Sequence, residues 1–351
     1  MRKLLVATLL TLIIAAPVAS AQDTGAKPPR LFEDDSRMTV TLKGPWRRIT
    51  RRVSNPETYP GELIYTDASG QQHSIKIGIT TRGLTRRDVV CDFPPLKLWF
   101  DKEQRKGTPF RGQGSLKMVT HCKKNKGYEQ YYIKEYLSYR IYNLITPYSF
   151  RVRPMMVTYL DSERDSKAFE RFGFLLEDVD DMAERNGQIE LEIPKISHRK
   201  LDPDETSNYM LFHYLIGNLD WSATSGRDPV ECCHNSKLIG KSPDATPVFS
   251  IPYDLDSTGL VDTSYAAPPE GLKVRNIRQR LYRGFCIHND AVPAALDRFQ
   301  GQKQNIMDLF TRETLLTNQV RSRAIKYLDE FYVSLASPGT LDKLLIGKCR
   351  R

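Results

Sequence analysis

Val248-Phe249-Ser250-Ile251-Pro252-Tyr253-Asp254-Leu255-Asp256-Ser257-Thr258-Gly259 sets a short apolar strand directly before two aspartates and a glycine. The β-prone residues Val248 to Ile251 suit a buried strand, which delivers Asp254 and Asp256 into the turn that follows. Upstream, an almost wholly apolar run from Tyr209 to Leu219 predicts a buried helix running into Gly217-Asn218-Leu219-Asp220-Trp221, a third carboxylate at the end of an apolar element. Between the two lies His234-Asn235-Ser236-Lys237-Leu238. Carboxylates so placed are partly desolvated and need cations nearby.

Asp-x-Asp-x-x-Gly also describes an ordinary turn, because Asp bonds its own backbone and Gly supplies positive φ. Asp220 taken alone could cap an element. Together, three aspartates and an asparagine amide are hard oxygen donors of the kind Mg²⁺ accepts beside phosphate. The order helix, Asp, Asn, strand, Asp is also the order of a base and two metal-binding residues in phosphoryl transfer.

At the amino terminus, Arg2-Lys3 precede an apolar run from Leu4 to Ala16, and Ala19-Ser20-Ala21 forms a small-x-small cleavage site. Residues 1–21 therefore read as a secretory signal peptide, with a mature chain starting at Gln22 in the periplasm or outside the cell. The run is shorter than the ~20 residues a span needs, and no other stretch approaches that length, so no transmembrane span is expected in the mature chain. Residues 22–37 read as a flexible leader.

The 351-residue chain carries a formal net charge of +10; loss of Arg2 and Lys3 with the signal peptide lowers it to +8. Its 40% hydrophobic and 27% charged residues are ordinary for a globular protein. The basic excess is spread over several short clusters and accompanies no nucleic-acid-binding module, so no nucleic acid is expected as a partner. Gly-x-Ser-x-Gly and His-Glu-x-x-His are both absent, which argues against serine and zinc hydrolases.

All six cysteines, Cys91, Cys122, Cys232, Cys233, Cys286 and Cys349, lie beyond the cleavage site. An even count in an exported chain predicts disulfides, with 15 possible connectivities. Proximity favours Cys91 with Cys122. Cys232 and Cys233, joined by one peptide, are each expected to reach elsewhere.

Residues 38–180 read as strand-rich. Gly61 to Tyr65 and Ser74 to Ile79 flank the turn Asp67-Ala68-Ser69-Gly70, a hairpin pattern, and Leu96 to Phe100 and Ser115 to Val119 are two further strands. A helix is expected from about Glu129 to Ile145, followed by strands at Met155 to Leu160 and Phe172 to Leu176. Residues 181–351 read as mostly helical. Strands first and helices later give an α+β, two-lobed layout.

In that order the motifs resemble the CotH family, the spore-coat-type atypical protein kinases. The resemblance rests on Thr81-Arg82-Gly83, the Leu-Lys-Leu strand at 96–98, Lys117, Lys134-Glu135-Tyr136-Leu137 and Gly173-Phe174-Leu175-Leu176-Glu177, then Gly-Asn-Leu-Asp-Trp, Asn235 and Pro-Tyr-Asp-Leu-Asp-Ser-Thr-Gly. It covers roughly residues 60–300 and implies a kinase-like bilobal fold that transfers phosphate from ATP, with Mg²⁺ or Mn²⁺, to Ser or Thr of envelope or secreted proteins. It implies that Asp220 orients or deprotonates the acceptor hydroxyl. Asn235 and Asp254 would hold metal, with Asp256 as an alternative or second ligand. Glu177 would lie in a hinge that meets adenine, and Lys117, or else Lys97, would contact phosphate and pair with Glu135.

The chain departs from the kinase pattern, whose phosphate-cradling loop has only the weak match Gly112-x-Gly114. Asp220 and Asn235 are fifteen residues apart, where ordinary kinases place the Asn five after the Asp. Arg82-Gly83-Leu84-Thr85-Arg86-Arg87 stands where small residues are expected; its guanidiniums suit bidentate phosphate binding or a decorated turn. The competing expectation is a non-catalytic envelope binding protein, a pseudokinase with the same fold.

Overall fold

The computed structural model describes residues 30–51, 57–83, 85–226 and 232–351. The expected signal peptide lies outside the described residues.

Strand β1, Met38–Gly44, decides the architecture. It pairs antiparallel with β2, Tyr59–Thr66, and on its other side runs parallel to β6, Val152–Asp161, in register from Met38 opposite Met155 to Gly44 opposite Asp161. Between them lie β3, Gln72–Thr81, β4, Leu96–Phe100, β5, Ser115–Val119, and β7, Phe169–Leu176. The order β1-β2-β3-β4-β5-β7-β6 closes on itself as a seven-stranded barrel. Closure leaves no strand edge unpaired and requires each strand to alternate between an inner and an outer face. Ile75, Ile77 and Ile79 of β3, Leu96 and Leu98 of β4, and Leu116 and Met118 of β5 fill the interior with Leu42, Leu63, Met155 and Val157.

This closed mixed barrel corrects the expected kinase-like bilobal fold: the chain is α+β, but its strand-rich part is a barrel. The difference lies in β1. Residues 38–44 fall in the segment expected to be strand-rich but in none of the individual strands expected there, and it is this strand that joins β2 to β6.

The outer face of β7 is as apolar as its inner face. Leu175 joins the barrel core, whereas Phe172, Phe174 and Leu176 join a second core built by helices. Helix α2, Glu129–Ile145, packs there, with the Tyr136 ring 5.9 Å from Phe172. α1 is the single turn Trp46–Ile49, and α3 is Val179–Arg185. Helix α4, Pro203–Ile216, starts with Pro203 behind the N-cap Asp202, whose carboxylate accepts from the Glu205 amide at 2.8 Å. It is buried on most of its surface, as its near-continuous apolar sequence requires. A small sheet, β8 (Ile189–Glu190), β9 (Ser236–Gly240) and β10 (Val248–Pro252), and the helices α5 (Val292–Gly301), α6 (Lys303–Arg312), α7 (Asn318–Ser334) and α8 (Thr340–Leu344) complete this part.

Two local expectations are corrected. Residues 30–37 of the expected leader are packed in place: Leu31 is buried and donates its amide to Pro109, and Arg153 holds the Asp34 carboxylate at 2.7 Å. The disulfides are Cys91–Cys122, as proximity suggested, Cys286–Cys349, and Cys232–Cys233. The last pair bond to each other, where each was expected to reach elsewhere. Among the described residues, no helix is long and apolar enough to cross a membrane.

Candidate functional site

Helix α4 ends where Gly217 takes a left-handed conformation, φ 63°, which only glycine adopts without cost. The chain then turns through Asn218 and Leu219 to Asp220, whose amide is held by the Asn218 side chain at 3.0 Å. Asn235, fifteen residues on, directly precedes β9. Because β9 pairs with β10 with Ser236 opposite Pro252, Asn235 falls opposite Tyr253, and the Tyr253 amide bonds the Asn235 carbonyl at 3.1 Å. The long spacing is thereby closed, with Asn235 one residue in register from Asp254.

Asp220 is held from two sides. His234 Nε2 lies 2.7 Å from its Oδ1, and the Asn235 amide nitrogen donates to its carbonyl at 2.7 Å and to its Oδ2 at 3.1 Å. Asn235 and Asp254 both have positive φ, 50° and 53°, at the mouth of the β9–β10 pair. The Asp254 amide donates to the Tyr139 hydroxyl of α2 at 3.0 Å, which fixes its position against that helix.

Arg86, from the π-helical turn Arg86–Val90 that follows β3, occupies the centre. Its guanidinium donates to Glu135 through both terminal nitrogens, at 3.2 and 3.1 Å, to Asp254 Oδ1 at 2.8 Å, and through Nε reaches Asp256 Oδ2 at 2.9 Å. Tyr265 donates to the same Asp256 oxygen at 2.6 Å. One cation thus serves three carboxylates, two of them buried. Burial pushes both Glu135 and Asp256 above the usual carboxylate range against the opposing pull of Arg86. Sequence reading missed Arg86 as the partner of Glu135; the only signal was the arginine-rich segment after β3.

Neither expected lysine pairs with Glu135. Lys97 and Lys117 sit opposite each other on β4 and β5, with Lys97 over the Trp99 ring at 4.1 Å and Lys117 over the Tyr253 ring at 4.7 Å. Lys117 thereby reaches the site one residue from Asp254. Arg82 lies beside the same phenol; burial raises the Tyr253 hydroxyl, but Arg82 and Lys117 outweigh it and bring it below the usual tyrosine range. Glu177 is structural: its carboxylate holds Arg185 at 2.9 Å and the Arg151 amide at 2.8 Å, and its own amide bonds the Arg151 carbonyl. That amide is thereby bonded within the protein.

A metal can be tested against these donors. Asp256 does not fit, because it is buried and its Oδ2 takes both Arg86 and Tyr265. Asp254 fits better: Arg86 occupies Oδ1, and its side chain is 42% exposed. Asp254, Asp220 and the Asn235 side-chain oxygen are hard donors of the kind a divalent cation takes. Among the described residues no group of three or more His, Cys, Asp or Glu is arranged as a ready metal centre. No family model matches the chain, and no curated protein is similar enough to supply a function.

Proposed function

We propose that the chain is an exported, metal-dependent phosphotransferase that moves a phosphoryl group from a nucleotide to a Ser or Thr hydroxyl of an envelope or secreted protein, as its resemblance to the CotH family implies. The observation that carries this reading is the meeting of the Asp220–His234 pair with Asn235, Asp254 and two cations, Lys117 and Arg82, in one partly open site. Asp220, oriented by His234 and Asn235, orients the acceptor hydroxyl and takes its proton. Asp254 and Asn235 would hold Mg²⁺ or Mn²⁺, which supplies charge neutralisation at the transferring phosphate. Lys117 and Arg82 face the remaining phosphate charge, Arg82 with a planar fork suited to two oxygens. Arg86 neutralises the carboxylates behind them and holds Asp254 in place.

Arg86 also favours a second reading, a non-catalytic envelope binding protein. A guanidinium already satisfies three carboxylates that a metal would otherwise balance. The mature protein, titrated with ATP in the presence of Mg²⁺ or Mn²⁺, separates the two. On the first reading it binds nucleotide only with metal. Asp254→Ala then abolishes binding, and Asp220→Ala slows transfer to a protein acceptor about 10²-fold or more while leaving binding intact. Absence of metal-dependent binding by the folded protein supports the second reading.

A further inference from the structure

At the end of the barrel where β1, β5 and β6 finish and β7 begins, aromatic rings gather away from the Arg86 cluster. Tyr159 stacks on Phe169 with centroids 5.0 Å apart and meets Trp46 and Phe93 edge-on at 5.1 and 4.9 Å. Trp46, Phe93 and Phe169 line a cavity of about 420 Å³, within the range of about 300–1,000 Å³ typical of small-molecule sites. His121 lines the same cavity, 4.4 Å from the Phe93 ring.

Two buried polar atoms at this end of the barrel have no partner among the described residues, and of the two residues only His121 lines the cavity. His121 is 3% exposed with Nδ1 unbonded, and Tyr159 is 1% exposed with its hydroxyl unbonded. A buried polar group left without a partner is costly unless something satisfies it. Around the cavity stand Arg47, Lys124 and Arg171. Of these, Arg171 is paired with Glu129 at 3.0 Å, and the one carboxylate of the lining, Asp92, is paired with Lys123 at 3.2 Å. The apolar walls, the unbonded imidazole nitrogen and the cationic rim call for one molecule with a flat hydrophobic body and a single negative charge.

We propose that this cavity is a binding site for a small aromatic carboxylate, its ring between the Trp46, Phe93 and Phe169 side chains and its carboxylate toward His121 Nδ1 and the cationic rim. Stacked rings favour a planar body over a flexible one. None of the lining residues belongs to the proposed phosphotransfer site, so failure of either assignment leaves the other standing.

The test is calorimetric titration of the mature protein with 2-naphthoate, with 2-naphthylmethanol as the uncharged analogue and octanoate as the non-aromatic one. Saturable one-to-one binding of naphthoate is expected, with both analogues at least about ten-fold weaker, a difference of about 1.4 kcal/mol. The rim pair Arg47→Gln/Lys124→Gln, exposed and free to fold, should weaken naphthoate by a similar factor, as should His121→Phe. No saturation below about 1 mM naphthoate, equal binding of the alcohol, or an unaltered rim variant would each overturn the proposal. Octanoate binding as tightly as naphthoate would overturn the aromatic assignment.

Discussion

Gly259 donates its amide to the carbonyl of Gly217 at 3.0 Å, so the glycine that ends one acidic motif is bonded to the glycine that begins the other. Asn218 and Thr258 form a β-bridge alongside, and the Leu260 amide reaches Ile216 at 3.0 Å. The Tyr327 hydroxyl, donating to the Arg278 carbonyl at 3.0 Å, closes over both glycines. This clasp is what fixes Asp220 relative to Asp254 and Asp256.

The clasp leaves no room for a β-carbon. At Gly259 it would lie 2.3 Å from the Tyr327 oxygen and 2.9 Å from the Ile277 carbonyl, so part of the obstruction is backbone. At Gly217 the closest obstacle is the Tyr327 oxygen alone, at 2.0 Å. Gly259→Ala should therefore cost about 2–3 kcal/mol in urea denaturation. Tyr327→Phe should rescue Gly217→Ala more than it rescues Gly259→Ala. A Gly259→Ala protein of undiminished stability would contradict this account of the site's frame.

The Cys91–Cys122 bond tethers the turn that carries Arg86. The Cys91 amide bonds the Arg86 carbonyl at 2.8 Å, and Cys122 accepts from the amides of Asp92 and Phe93. Replacing both cysteines by serine should cost about 2–5 kcal/mol. Hydrogen exchange of residues 85–93 should rise more than that of the barrel strands, because the loss is local to that turn. Uniform acceleration over the whole chain would show that the bond does not specifically hold Arg86.

Much of the site was visible in sequence because its residues sit at the ends of strongly apolar elements, Tyr209 to Ile216 and Val248 to Pro252, whose type is fixed by their hydrophobicity. The fold was not, because barrel closure depends on a parallel pairing between residues 38–44 and 155–161 that leaves no local trace. β1 alternates like any half-buried strand; nothing in it names its second partner. The lysine expected opposite Glu135 was misassigned for a related reason. A strand lysine advertises itself by alternation, whereas Arg86 reaches Glu135 from a turn whose direction is set by tertiary contacts.

Acid stability should depend on His213. It is fully buried, stacked on Trp221 with centroids 4.8 Å apart, and neither ring nitrogen has a partner. Desolvation, with Arg283 nearby, holds its folded pKa well below the ordinary histidine value. The unfolded chain therefore binds the extra proton first as pH falls below about 6.5, and the stability present above that pH is progressively lost. Glu135 and Asp256 act in the opposite sense: burial raises them, so their contribution declines as pH rises from about 4 through their folded values. His213→Phe removes only the first effect and breaks no hydrogen bond. The variant should gain up to about 2.7 kcal/mol relative to the native protein on going from pH 8 to pH 4.5. A relative stability independent of pH would show that His213 is not the buried neutral group responsible.

Arg86 should be the costliest single residue of the site to remove. Arg86→Met leaves Glu135 and Asp256 buried without their cation, and breaking a buried pair from one side costs about 3–5 kcal/mol. Glu135→Leu alone leaves Arg86 with Asp254 and Asp256 still at 2.8 and 2.9 Å, so it should cost less. The double variant should be less destabilised than the sum of the two, because the penalty in Arg86→Met is largely that of the stranded carboxylates. Those carboxylates can escape by taking up protons. With Arg86 gone their folded pKa values rise further above about 4, so the destabilisation should grow as pH rises from 5 to 8. Urea denaturation of the two single variants and the double at both pH values checks each step. Strict additivity, or a cost for Arg86→Met that does not change with pH, would mean that the guanidinium acts by packing against Tyr132, 5.7 Å from its ring, and not by charge.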